Sequence, residues 1–140
     1  MLDVSELQKS FTILQPRLHE LADRFYETLW TEFPKAKALF TTTEMDKQKA
    51  GFIQGLEFIV AHLGQPEILR PYLSAMGIRH SCYGIKAQHY EWINVCLTRS
   101  LASCYGRAWN DAVADGWKQA IDLALGVMRA GADEVRMRAS

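Results

Sequence analysis

Three observations on this 140-residue chain predict an all-α fold. Apolar side chains recur at three- and four-residue steps along most of its length, no window longer than four residues alternates as a strand does, and glycine and proline gather at a few points. The expectation is six to eight helices of unequal length, with one stretch interrupted by glycine and proline ahead of a final long pair.

Val4, Leu7, Phe11 and Leu14 form one stripe behind Ser5, a residue able to cap, so a first helix is expected over about residues 4–15. Pro16 opens a second, since a first turn accommodates proline, and Leu18, Leu21, Phe25 and Leu29 carry it to about Phe33. "PKAKALF" reads as a short helical turn that delivers Phe40. "TTTEMDK" offers threonine caps and first-turn acids for a helix from about Met45 to His62, with Phe52, Leu56, Ile59 and Leu63 on one face. Gly51 and Gly55 lie one turn apart there, where missing side chains would let another helix approach closely. "LGQPEILRPYLSAMGIRH" holds Gly64, Pro66, Pro71 and Gly77 and predicts one or two short helices, with Ile68, Tyr72, Leu73 and Met76 inward. Two long helices finish the fold, about 86–105 and about 109–129, parted by the "YGRAW" turn.

Sixteen basic and sixteen acidic side chains cancel, so no single-sign field draws the chain to phosphate backbones or anionic lipid; neither nucleic acid nor a membrane surface is an expected partner. A chain of this length buries roughly 68 % of its unfolded surface as one domain and needs no staples. Residues 1–140 are read as that domain. Cys82, Cys96 and Cys104 are odd in number and lack C-x-x-C spacing, which fits free thiols in a reducing compartment. "MLDVSELQ" has no leader pattern and no apolar run approaches the roughly 18 residues of a membrane span, so a cytoplasmic location is expected. Phosphate loops, dinucleotide fingerprints, H-E-x-x-H and G-x-S-x-G are missing, as is the C-x-x-C-H of covalently attached haem. A noncovalent ligand stays open.

"IRHSCYGIKAQHY", residues 78–90, packs two histidines, two tyrosines and a cysteine into thirteen positions. Taken alone, His80 is a helix C-terminal residue that favours its helix when charged. Tyr26, Phe40 and Phe52 are core aromatics by the same standard, His19, His62 and His89 exposed helix residues, and Cys82 an incidental thiol. Four stretches in order give these residues more meaning: "FYETLW", "PKAKALF", "DKQKAGF" and "RHSCYGIKAQHY".

In that order and spacing the chain resembles the globins, specifically bacterial single-domain haemoglobins similar to the haem domain of flavohaemoglobins, from "LQKSF" to about "LGVM". The resemblance implies a globin fold around noncovalent b-type haem (iron protoporphyrin IX). His80 would ligate the iron and Tyr90 would hydrogen-bond toward it; Phe40 would lie flat on the porphyrin. Tyr26, Gln48 and Phe52 would face the bound ligand. Gln48 either donates to that ligand or holds Tyr26, and the second ring nitrogen of His80 takes a backbone carbonyl one turn back or the Tyr90 hydroxyl. His62 falls about 20 Å along the helix beyond Gln48, too far to be a distal ligand.

The family backs its proximal tyrosine with a glutamate late in the last helix. Here the matching position falls near Ala132, with only Asp133 and Glu134 close by, so a strongly activating proximal side is not expected. The implied function is reversible binding of dioxygen, carbon monoxide and nitric oxide at an iron with an open sixth position. Oxygen transport and nitric oxide dioxygenation with an external flavin reductase form one hypothesis, and a gas sensor read by a partner or output domain forms the other. No flavin or nicotinamide module is legible in these residues, and a monomer or homodimer is the expected assembly.

Overall fold

A computed structural model describes residues 2–139. Six α-helices follow one another: α1 (Val4–Leu14), α2 (Leu18–Glu32), α3 (Met45–Ala61), α4 (Pro66–Cys82), α5 (Ala87–Tyr105) and α6 (Asp111–Ala139). Short 3₁₀ turns occupy Gln15–Arg17, Pro34–Phe40 and Gly106–Ala108, and no strand occurs among the described residues. No helix among them is long and apolar enough to cross a membrane.

The apolar stripes read from the sequence are the buried faces. Leu7, Phe11 and Leu14 of α1 and Leu18, Leu21, Phe25 and Leu29 of α2 all enter one core with Leu73, Leu101 and Trp117. The Trp117 Nε1–H donates to the Tyr105 hydroxyl at 2.9 Å and Ser10 shares that hydroxyl at 3.0 Å, so these inward polar groups are satisfied. α2 packs on α3 and α5, and α6 on α4 and α5.

Helix starts differ from the expected ones. Asp3, not Ser5, caps α1: its carboxylate accepts the Glu6 N–H at 3.1 Å, which leaves Ser5 inside the first turn. α3 begins after Glu44 with no side-chain cap, and Thr41 and Thr42 stay in the preceding turn. Pro16 lies in a 3₁₀ turn ahead of α2.

The stretch expected to break into short helices forms a single one, α4. Pro66 sits in its first turn, where an N–H has no partner to lose. Pro71 removes the amide that would meet the Glu67 carbonyl, but both residues are exposed, so water can serve that carbonyl. Gly77 is a crossing point instead of a breaker. A Cβ placed on it would fall inside the Met128 backbone, 2.6 Å from the carbonyl carbon, and one on Gly131 would lie 2.8 Å from the Ser74 carbonyl oxygen. α4 and α6 thus touch backbone to backbone, and the helix propensity lost at two glycines is offset by packing. The same contact explains why α6 runs past Arg129 to Ala139: Gly131 and Ala132 are buried. Of the glycine pair in α3, Gly51 faces open space, and only Gly55 meets another helix, 3.6 Å from the Tyr72 hydroxyl and from the end of Met76.

Candidate functional site

Four of the six candidate residues come together around Tyr26. Its ring, on α2, meets Phe40 edge-on at 5.9 Å and 79°, and Phe52 of α3 at 6.0 Å and 67°. Phe25 stacks on Phe52 at 4.8 Å. The Gln48 amide, one turn before Phe52, donates to the Tyr26 hydroxyl at 3.0 Å. That bond occupies an oxygen lone pair and leaves the phenolic hydrogen free, since an amide nitrogen cannot accept. Burial pushes the Tyr26 phenol up to about 12 against the downward pull of Gln48, so it stays protonated at neutral pH.

His80 and Tyr90 form the other group, on α4 and α5. His80 Nδ1 lies 2.7 Å from the Met76 carbonyl oxygen, one turn back. A carbonyl only accepts, so Nδ1 carries the hydrogen and Nε2 keeps its lone pair. Burial lowers the His80 pKa, partly opposed by the Met76 carbonyl and reinforced by Arg79; the ring is therefore neutral at pH 7. Of the two expected partners for its second nitrogen, the backbone carbonyl is taken. The buried Tyr90 hydroxyl has no hydrogen-bond partner among the described residues, and the Arg129 guanidinium sits 5.9 Å from the centre of its ring. Burial raises the Tyr90 pKa. Near the position where the resemblance asks for a carboxylate, Ala132 is a buried methyl, while Asp133 and Glu134 are exposed and paired with Arg136 and Arg138, Asp133 acting on Tyr90 only through its charge.

The register of α3 against α4 relates the two groups. Phe58 stacks on Tyr72 at 4.0 Å and Gly55 meets Met76, an antiparallel alignment. Continued along both helices, it sets Phe52 and Gln48 toward the end of α4 that bears His80. Phe40, Gln48, Phe52, Met76 and His80 are only half-buried, unlike the core around them. No group of three or more histidine, cysteine, aspartate or glutamate side chains able to hold a metal ion occurs among the described residues. A metal bound through His80 would therefore need its other ligands from a prosthetic group.

Two histidines expected at the surface are not there. His89 is buried, and its Nδ1 accepts the Lys86 backbone N–H at 2.8 Å, closing the start of α5. It acts as the third-position residue of a capping box, a place usually given to glutamate or glutamine. Burial, with Lys86 adding to it, lowers its pKa and preserves that acceptor. His62 is half-buried, stacked on Phe58 at 4.1 Å with Nδ1 on the Phe58 carbonyl at 2.9 Å. His19 is exposed as expected. Sequence reasoning also gave no role to Trp30, whose ring lies 5.8 Å from Tyr26 and 5.2 Å from Phe40; its spacing, four residues after Tyr26, was the available signal.

Comparison with known proteins bears on this arrangement. The chain is 28 % identical over 116 residues to a flavohemoprotein of Bacillus cereus, a match covering 81 % of this chain and 28 % of that protein. With the flavohemoprotein of Bordetella bronchiseptica it shares 24 % over 124 residues, covering 84 % and 31 % respectively. The chain thus spans less than a third of the length of these curated relatives. Among solved structures, an engineered carbene transferase from Rhodothermus marinus superposes with a TM-score of 0.88 at 18 % identity, covering 99 % of both chains. A bacterial globin from Campylobacter jejuni gives a TM-score of 0.83 at 17 % identity over 95 % and 96 % of the two chains. A hexacoordinated heme protein from an anhydrobiotic tardigrade gives 0.83 at 20 % identity over 94 % and 93 %. At such identities these superpositions speak for the fold alone. The Globin family profile matches residues 23–128, which takes in Tyr26, Phe40, Gln48, Phe52, His80 and Tyr90, and this chain belongs to the globin family.

Proposed function

We propose that the protein holds noncovalent b-type haem through His80 and reversibly binds dioxygen, with carbon monoxide and nitric oxide as further ligands. Haem binding itself follows from membership of the globin family. The observation that carries the assignment is His80: a neutral imidazole with Nδ1 committed to the Met76 carbonyl and Nε2 unspent, at the end of α4. The residues present fit the group. Phe40, Phe52 and Met76 offer half-buried apolar surface for a flat ring to cover, and His80 supplies one nitrogen ligand, with no cluster among the described residues that would bind a bare ion. Bound haem would contribute an iron with one position open to a diatomic ligand.

The chain's own residues divide the remaining work. The Met76 carbonyl fixes the tautomer and orientation of His80. Gln48 holds the phenol of Tyr26, whose free hydrogen donates to a ligand that gathers negative charge. With no carboxylate hydrogen-bonded to the Tyr90 hydroxyl, and Asp133 held by Arg136, little electron density is pushed toward the iron, and peroxidase activity is modest. Three free cysteines, one of them exposed, support a cytoplasmic location. Absorption spectra of the purified protein, with dithionite and then carbon monoxide, test the proposal: a Soret band that moves on adding carbon monoxide is expected, and its absence would rule haem out.

Tyr26→Phe should speed dioxygen release about tenfold, the factor that corresponds to losing roughly 1.4 kcal/mol. Carbon monoxide, less polar when bound, should respond less. Equal effects on both ligands, measured by stopped-flow replacement, would assign Tyr26 to packing.

Nitric oxide removal belongs to this proposal only with a flavin reductase supplied from outside these 140 residues. Each nitrate formed from nitric oxide and dioxygen takes one electron, and nothing in these 140 residues is built to pass electrons from a nicotinamide. The flavohemoprotein relatives, of which this chain matches less than a third, support a flavin-dependent supply. Mixing the oxygenated protein with nitric oxide should give one stoichiometric reaction. Continuous consumption of nitric oxide with NADH and no flavoprotein would refute this.

A further inference from the structure

We propose that Trp30 relays single electrons between the distal pocket and reductants in solvent, making it the residue oxidised when a hydroperoxide reacts there. This rests on the haem proposal. Trp30 touches two of the candidate aromatic residues, Tyr26 at 5.8 Å and Phe40 at 5.2 Å between ring centres, and it is half-buried, so part of it reaches water. No other tryptophan stands in this position. Trp117 is buried and bonded to Tyr105, Trp109 packs on Tyr105, and Trp92 stacks on Phe33 at 4.9 Å and against His89.

Tyr26 lies nearer the reacting ligand, yet it is a poor place for oxidation to stop. A phenol gives up an electron readily only when its proton has an acceptor, and the group on its oxygen, the Gln48 amide, is itself a donor. Burial holds the phenol in its neutral form. An indole can lose the electron first and the proton afterwards, and the exposed edge of Trp30 hands that proton to water.

The balance is simple. A hydroperoxide takes two electrons and two protons, breaking its O–O bond to give an alcohol and water. One electron comes from the bound haem and one from Trp30; the Trp30 Nε1 proton passes to water, and solvent supplies the protons consumed. A one-electron reductant of the ascorbate or phenol class then returns an electron and a proton to Trp30, and a second electron from the same class of reductant, passed through Trp30, restores the haem. The rate of bond breaking is set elsewhere; Trp30 decides where the oxidising equivalent goes.

Haem-loaded protein, checked by its carbon monoxide spectrum, is treated with hydrogen peroxide in the presence of a nitroso spin trap and mapped by peptide mass spectrometry. The adduct is expected on Trp30 and should disappear when ascorbate is present. Trp30→Phe with an unchanged carbon monoxide spectrum should lose it, and Trp92→Phe should keep it. The wild-type map decides the matter even where a variant folds poorly. Adduct on Tyr26, Tyr90 or Trp92 with Trp30 unmarked would overturn the relay alone. Protein without a carbon monoxide spectrum would overturn the haem proposal and the relay with it.

Discussion

His80→Gly is expected to strip the protein of its ordinary haem spectrum, and imidazole added to the solution should restore it. The effect is large because the substitution removes the sole protein ligand proposed for the iron, while the space vacated by the ring remains to admit a free imidazole. His62→Ala is the contrast. That ring is tied by Nδ1 to the Phe58 carbonyl and stacked where Phe58 meets Tyr72, on the other side of Gly55 from Gln48 and Phe52, so its loss should leave the spectrum alone. If both variants kept wild-type absorption in the ferrous and carbon monoxide forms, His80 would not be the ligand.

Gly77→Ala should be the most damaging small change in the chain. Its new methyl must occupy the Met128 backbone, which cannot turn aside as a side chain can, so α4 has to lift from α6. A cost of about 3 kcal/mol is expected, at the upper end for overpacking. His80 follows Gly77 by three residues on the same helix, so haem affinity should fall together with stability. Gly51→Ala is the internal control: its helix position faces open space, and replacing glycine there should stabilise by about 0.5–1 kcal/mol. Urea midpoints at unchanged slope would measure both. Equal midpoints for wild type and Gly77→Ala would mean that the two helices are not in backbone contact.

The contrast between these glycines marks what the sequence could and could not disclose. Helices whose buried face is a regular stripe, such as Leu18, Leu21, Phe25 and Leu29 on α2, were legible because their pattern is local. Gly77 and Pro71 looked like breaks because punctuation is local too, whereas the contact that makes Gly77 useful joins it to Met128, far along the chain. Tyr26, Phe40, Gln48, Phe52 and His80 could be picked out by order and spacing, and the first four do meet. The choice between Met76 and Tyr90 as partner of His80 could not, because every residue brings a carbonyl and only the helix geometry selects one. His89 was missed for a related reason: a histidine accepting a backbone N–H at a helix start looks, in sequence, like any other polar residue in a first turn.

The α4–α6 crossing also bears on how this chain is free to drift over generations. Helix propensity alone favours alanine over glycine by roughly 1 kcal/mol at any interior helix position, so random substitution at Gly51 or Gly126, where nothing stands in the way, meets no opposition. At Gly77 and Gly131 the same substitution runs into the partner's main chain; a change at Ser74 would clear its hydroxyl from Gly131 but not its carbonyl oxygen, and none at Met128 clears its backbone from Gly77, because a backbone has no smaller version of itself. The two helices can accept a side chain at either glycine only by moving apart as bodies, which drags His80 with them. Descendants of this sequence that still use His80 should therefore retain both glycines while losing the other two.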